Sequence, residues 1–211
     1  MNLNYNSLES LQRDFLQLPR FHQIVFSASC CERLLPNYYA FSRQEGRGNY
    51  SLLRTGLDTV WNILLGQFCN IEEIANQLKN NCIDSVFSEE IIPKSPYSYE
   101  AELAALAVHS TIELFIKDNN LELQVMPLIC TVDTVTEHVR ILKEINDPNW
   151  ENKSYEDRDK EVFNHPFVVR EITRQREDLQ KLKKTKELNS DFVESIRNSF
   201  DNNGKSLIDL P

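Results

Sequence analysis

Glu32 is the residue in this chain whose surroundings most invite chemistry. It lies in the stretch Phe26-Ser-Ala-Ser-Cys-Cys-Glu-Arg-Leu-Leu-Pro-Asn-Tyr-Tyr39, where Phe21, Val25, Ala28, Glu32 and Leu35 recur at intervals of three and four. That spacing puts the carboxylate inside the apolar stripe of a helix. A carboxylate there must gain a cationic or hydrogen-bonding partner, or its pKa rises until it takes a proton. Arg33, Arg43 and Arg54 are the nearest basic candidates in sequence. On the following helix Arg54 and Asp58 stand four residues apart and can pair, while Asp58 and Trp61 share a flank. The expected cluster is therefore Glu32, Asp58 and an arginine beside Tyr38, Tyr39 and Trp61, with Arg33 and Asn37 at neighbouring positions. Two kinds of chemistry fit it: a buried ion-pair network that sets helix register, or the wall of a ligand pocket.

Other candidate groups carry less. The five cysteines include the adjacent pair Cys30 and Cys31, and Cys69, Cys82 and Cys130 are dispersed, which gives neither a CxxC pair nor metal-ligand spacing. They read as reduced core or helix residues, the alternative being a redox or nucleophilic thiol at Cys30 or Cys31. His109 and Glu113 lie one turn apart and His138 follows Glu137, but the Glu-x-x-His motifs of a di-iron bundle do not occur. No metal and no cofactor is expected. The sequence has no Gly-x-Ser-x-Gly elbow, P-loop or dinucleotide fingerprint, and Gly46-Arg-Gly48 reads as a turn. No catalytic residue is assigned, and the chain leans away from an enzyme.

The elements that must position these groups are helical throughout. Gly is scarce and falls mainly where helices end, at Gly46, Gly66 and Gly204, and no hairpin signal appears. A first helix is expected over 7–17 with Leu8, Leu11, Phe15 and Leu18 on its apolar side. A second runs from Pro19 to Leu35, where Pro36 forces a break, and a short helix over 37–45 is closed by Gly46. Asn49 caps a third through Leu65, in which Gly56 marks a close helix approach, and Asn70 with Glu73 opens a fourth over 71–79. Pro96 begins a helix to about Asp118, apolar nearly all round from Leu103 to Ile116, which belongs at the centre of a bundle. The next spans roughly 123–146, with Pro127 in its first turn or bending it. Residues 147–164 are strongly polar and read as an exposed connection. Pro166 starts a surface or dimer helix to about Lys186, with Val168, Ile172, Leu179 and Leu182 as its narrow stripe. A last helix covers 191–203, and the apolar tail after Lys205 docks on the bundle. The fold expected is an all-α, single-domain bundle of about seven to eight helices spanning 1–211.

Size and charge bound the partners. A chain of 211 residues with 41% hydrophobic content can bury one substantial core. Its net charge of -9 and pI near 5.0 disfavour nucleic acid and anionic membranes, whose binders carry a basic face. The first residues carry no cationic region leading into an apolar run, and nowhere do about 18 apolar residues run together. A cytoplasmic location is expected.

Cys31-Glu32-Arg33, Pro36-Asn37-Tyr38, Phe41, Gly46, the Asp58-x-x-Trp61 pair and Val108-His109-Ser110 together resemble the YjaG-like bacterial family, domain of unknown function 416. The resemblance runs nearly end to end and is strongest from Phe26 to Leu65. It is weaker at His165-Pro166, where family members tend to have Asn-Pro, and it departs at Gly204-Lys-Ser-Leu-Ile-Asp209. It implies an all-helical cytosolic protein and supplies no catalytic residue to carry over. The functional expectation is a protein-binding or regulatory module, immunity- or antitoxin-like, whose acidity complements a basic partner. The alternative is a small-molecule binder or enzyme built on Glu32, Arg54, Asp58 and Trp61. A homodimer through the helix that starts at Pro166 is a further expectation.

Overall fold

A helix with apolar residues on nearly every side can be satisfied only at the centre of a bundle, and two helices of this chain have that pattern. The computed structural model describes residues 5–46, 48–67, 98–115, 121–200 and 206–209. Among these residues there are eight α-helices and no strand. In chain order they are α1 (Tyr5–Leu16), α2 (Arg20–Glu45), α3 (Tyr50–Leu64), α4 (Ser98–Glu113), α5 (Leu121–Asn146), α6 (Tyr155–Phe163), α7 (Pro166–Lys184) and α8 (Ser190–Arg197). The helix expected over 71–79 lies outside the described residues.

The central pair is α2 and α4. Helix α2 also packs on α3, α5, α7 and α8, and α4 packs on α3 and α5. Ala101, Ala104, Ala105 and Ala107 are all buried on α4, and such small side chains let the backbones approach closely. The core around them contains Phe15, Phe26, Leu34, Leu57, Trp61, Ile112 and Leu128, each essentially without solvent contact. Gly56 is buried within α3, as a close approach there requires.

The expected break at Pro36 does not occur. Helix α2 runs unbroken through it for 26 residues and ends at Gly46, whose φ of 62° is the left-handed cap that glycine adopts without strain. Pro36 removes the amide that would bond the Glu32 carbonyl one turn earlier. Burial of Leu34, Leu35, Asn37, Tyr38 and Phe41 on both sides of the proline holds the helix together across that gap. Pro127 likewise lies inside α5, because that helix starts at Leu121 and not at Leu123.

Residues 147–164 also differ from the open connection expected of their composition. They hold a 3-10 turn at Trp150–Asn152 and the helix α6, and Trp150, Val162 and Phe163 are buried. The charges there are matched across elements: Lys143 pairs with Glu161 at 2.9 Å, and Lys153 pairs with Asp147 at 2.8 Å and Glu161 at 2.5 Å. Polar composition here marks a solvated helix face over a small apolar anchor. Tyr155, by contrast, stays exposed.

Helix α7 buries the stripe Val168, Ile172, Leu179 and Leu182 against its own bundle. The tail docks as expected: Ser206, Leu207 and Ile208 are buried, and Arg170 donates to the Leu207 carbonyl at 2.6 Å. No helix of the described residues is long and apolar enough to cross a membrane.

Candidate functional site: two buried ion-pair clusters on one helix

Adjacent residues on a helix point about 100° apart, so Glu32 and Arg33 enter two different parts of the bundle. Glu32 faces α3 and is only 5% exposed. Arg54 grips it with both terminal nitrogens, Nη1 to Oε2 at 2.6 Å and Nη2 to Oε1 at 2.8 Å. Trp61 donates its indole N–H to Oε1 at 2.8 Å. Asp58, one turn along α3 from Arg54, accepts from Arg54 Nη2 at 2.8 Å. The predicted association of Glu32, Arg54, Asp58 and Trp61 is therefore present, with Arg54 as the arginine that completes it.

A further member comes from far along the chain. Arg197, at the end of α8, donates to Asp58 Oδ1 at 2.8 Å, lies 4.0 Å from Glu32 Oε1, and stands over the Trp61 ring at 5.8 Å. Two carboxylates and two guanidiniums thus balance, tying α2, α3 and α8 together. The floor, Glu32 and Trp61, is buried, whereas the Asp58 side chain is 42% exposed. The arginine fork keeps its charge firmly, since the carboxylates it bonds outweigh the burial that opposes it.

Arg33 builds the second cluster, on the side of α7. Its Nε and Nη2 reach Glu171 at 3.0 Å each, a bidentate pair. Nη1 donates to the Ser29 carbonyl at 3.1 Å and lies 3.4 Å from Asp178 Oδ2. Gln175 donates to Glu171 at 2.9 Å and to Thr131 Oγ1 at 2.5 Å, which carries the network to α5. Glu171, Gln175 and Asp178 are all at most 2% exposed. Burial pushes the Asp178 carboxyl up, against the pull of Arg33. Arg174 and Lys181, lying 3.6 and 3.8 Å from Asp178, also oppose that rise, and the neighbouring Glu171 carboxylate adds to it.

The remaining candidates disperse. Tyr38 is buried and accepts from the Asn49 amide at 3.1 Å, and a Cβ at Gly48 would come within 2.6 Å of its hydroxyl. Its role is to lock the turn between α2 and α3. Asn37 is fully buried with both amide atoms lacking a hydrogen-bond partner, so it joins neither cluster. Tyr39 sits at the surface, its ring 4.9 Å from that of Tyr50. Cys30 and Cys31 are fully buried free thiols. Burial pushes Cys31 up to about 12 and Cys30 higher, so neither is a thiolate at neutral pH. His109 and Glu113 lie 3.6 Å apart, and no metal-holding group of ligands occurs among the described residues.

Sequence reasoning missed Arg197 and the acceptors of Arg33. For α7 a signal was available: Glu171, Gln175 and Asp178 recur by four and three residues on the same side as Val168, Ile172, Leu179 and Leu182. Polar residues at core register read as a buried network, by the reasoning applied to Glu32. Arg197 carries no such mark, because only the tertiary fold brings α8 to α3.

Fold and site together define an all-α, single-domain bundle whose central helix holds two buried ion-pair clusters. The chain belongs to the family described as Protein of unknown function (DUF416), whose model matches residues 10–210. Its fold is similar to the crystal structure of a DUF416 family protein from Shewanella baltica OS155, with a TM-score of 0.78 at 21% sequence identity. That likeness covers 94% of this chain and 97% of the other. No curated protein matches the sequence.

Proposed function

We propose that this protein is a cytoplasmic protein-binding module of regulatory type that holds a basic partner, as an immunity- or antitoxin-like protein does. The observation that carries this reading is the closure of the Glu32 cluster. Its carboxylate already takes three N–H donors from its own chain, and Asp58 takes two more. Side chains so engaged are poorly placed to hold a substrate, which weighs against the small-molecule alternative. The function then rests on the surface, and a net charge of -9 sets the sign of what that surface attracts. Co-purification from the native host, with mass spectrometry of bound proteins and metabolites, tests it. The expected result is a basic protein whose affinity, measured by calorimetry, falls as salt is raised. A metabolite held at the Glu32 cluster with no protein bound, or a partner indifferent to salt, contradicts it.

A further inference from the structure

The ring of Phe167, near the start of α7, is a meeting point for three side chains that can each carry a positive charge. His165 lies 5.1 Å from it, His138 of α5 lies 5.8 Å from it, and the guanidinium of Arg170 stands over it at 5.2 Å. Arg170 also reaches the tail, with Nη2 donating to the Leu207 carbonyl at 2.6 Å and to Asp209 Oδ1 at 3.0 Å. The tail is a turn closed on itself: the Asp209 amide donates to the Ser206 carbonyl at 3.1 Å, and the Ile208 amide to Ser206 Oγ at 3.3 Å. A segment that carries its own hydrogen bonds can leave the bundle as a unit. The charged groups around the two histidines are Lys143 of α5, itself paired with Glu161 of α6 at 2.9 Å, and the Arg170–Asp209 pair at 3.0 Å.

We propose that Ser206–Asp209 is a strap released on acidification, and that His165 and His138 act on it through Phe167 and Arg170. Of the three groups at the ring, Arg170 alone is charged at neutral pH, in a favourable cation–π contact. Burial, and then the Lys143 charge, keep His165 neutral there, and burial, and then His165, do the same for His138. Protonation changes this in three ways. His165 Nδ1 can no longer accept from the Phe167 amide at 3.3 Å, so the first turn of α7 loses its cap. An imidazolium at that helix N-terminus also opposes the macrodipole. Three cations then converge on one ring, and Arg170, whose side chain is 40% exposed, can swing into water and give up both tail contacts. Depressed folded values fix the sign: docking is complete above the unfolded value of about 6.5 and is lost as pH falls through the folded ones. Release uncovers the apolar surface now covered by Leu207 and Ile208, which are 6% and 4% exposed.

The test follows the methyl groups of Leu207 and Ile208 by NMR in the full, methyl-labelled chain as pH is lowered from about 7.5 until the core unfolds, with Ile112 and Leu128 as core reporters. The expected result is that the tail methyls move to random-coil positions below about pH 6.5 while the core methyls hold their native shifts. His138→Gln combined with His165→Asn should keep the tail docked until the core itself unfolds. Arg170→Gln should lower the docking equilibrium about tenfold, so that release begins at a higher pH. Tail and core methyls moving together in the parent chain, or release at an unchanged pH in the double histidine variant, would overturn the proposal. Should the core methyls show that the double variant does not fold, Arg170→Gln decides: release at an unchanged pH in that variant contradicts the strap.

Discussion

Arg33 and Glu32 show how much depends on single side chains at adjacent positions. Each is buried, each is charged, and each is made tolerable by partners on other helices. Arg33→Lys should destabilise the protein by about 3 kcal/mol, because one ammonium cannot reproduce the fork onto Glu171 while reaching the Ser29 carbonyl. Urea unfolding checks it, and a loss under about 0.5 kcal/mol would show the fork to be dispensable. The demand for a partner at Glu32 was legible in the sequence, since a carboxylate in an apolar stripe has few other outcomes. The identity of Arg33's partners was not, because Glu171 is 138 positions away and nothing local links them. The reduced state of Cys30 and Cys31 was legible from the lack of CxxC or metal-ligand spacing, and both are buried free thiols.

At the scale of elements, the ends around the α2–α3 turn were read well, whereas α4 ends at Glu113, short of Asp118, and α8 at Arg197, short of Asn203. Gly46 and Asn49 mark the boundaries they were expected to mark, the latter accepting from the Leu52 amide at 3.1 Å. Pro36 was overread, because a local rule about amide donors was outweighed by burial on both flanks. Pro36→Ala should therefore stabilise the chain by about 1–3 kcal/mol, as it restores a donor to a helix that already runs unbroken through that point. A calorimetric melt that moves down instead would mean that the proline itself is packed to advantage.

The start of α7 offers a pH-dependent element. His165 caps it, its Nδ1 accepting from the Phe167 amide at 3.3 Å, and the Phe167 ring lies between His165 and His138. Nδ1 can accept only while unprotonated. Burial, and then the Lys143 charge, hold His165 below the ordinary histidine value; burial, and then His165, do the same for His138. A depressed folded pKa contributes stability above the unfolded value of about 6.5, and loses it as pH falls through the folded values. His165→Asn should keep a cap worth about 1 kcal/mol and flatten the loss of stability as pH falls below about 6.5. Parallel stability profiles for the two proteins over that range would contradict this.

The whole molecule is a bundle in which two polar clusters, not hydrophobic packing alone, fix how helices meet. Its all-α class and single core were legible from punctuation and periodicity. The long-range closure of α8 onto α3 was not, because Arg197 looks like any exposed helical arginine until the chain is folded.

The central claim is that the Glu32 cluster is a structural clamp across α2, α3 and α8. The thermal melt of Glu32→Gln tests it most directly. The substitution keeps the shape, removes the charge, and leaves Arg54 without its principal buried partner. Breaking one side of a buried pair costs about 3 kcal/mol, which for a chain of this size lowers the melting temperature by about 9 °C. An unchanged melting temperature together with lost binding of a ligand or partner would contradict the clamp and return the cluster to the role of a binding site.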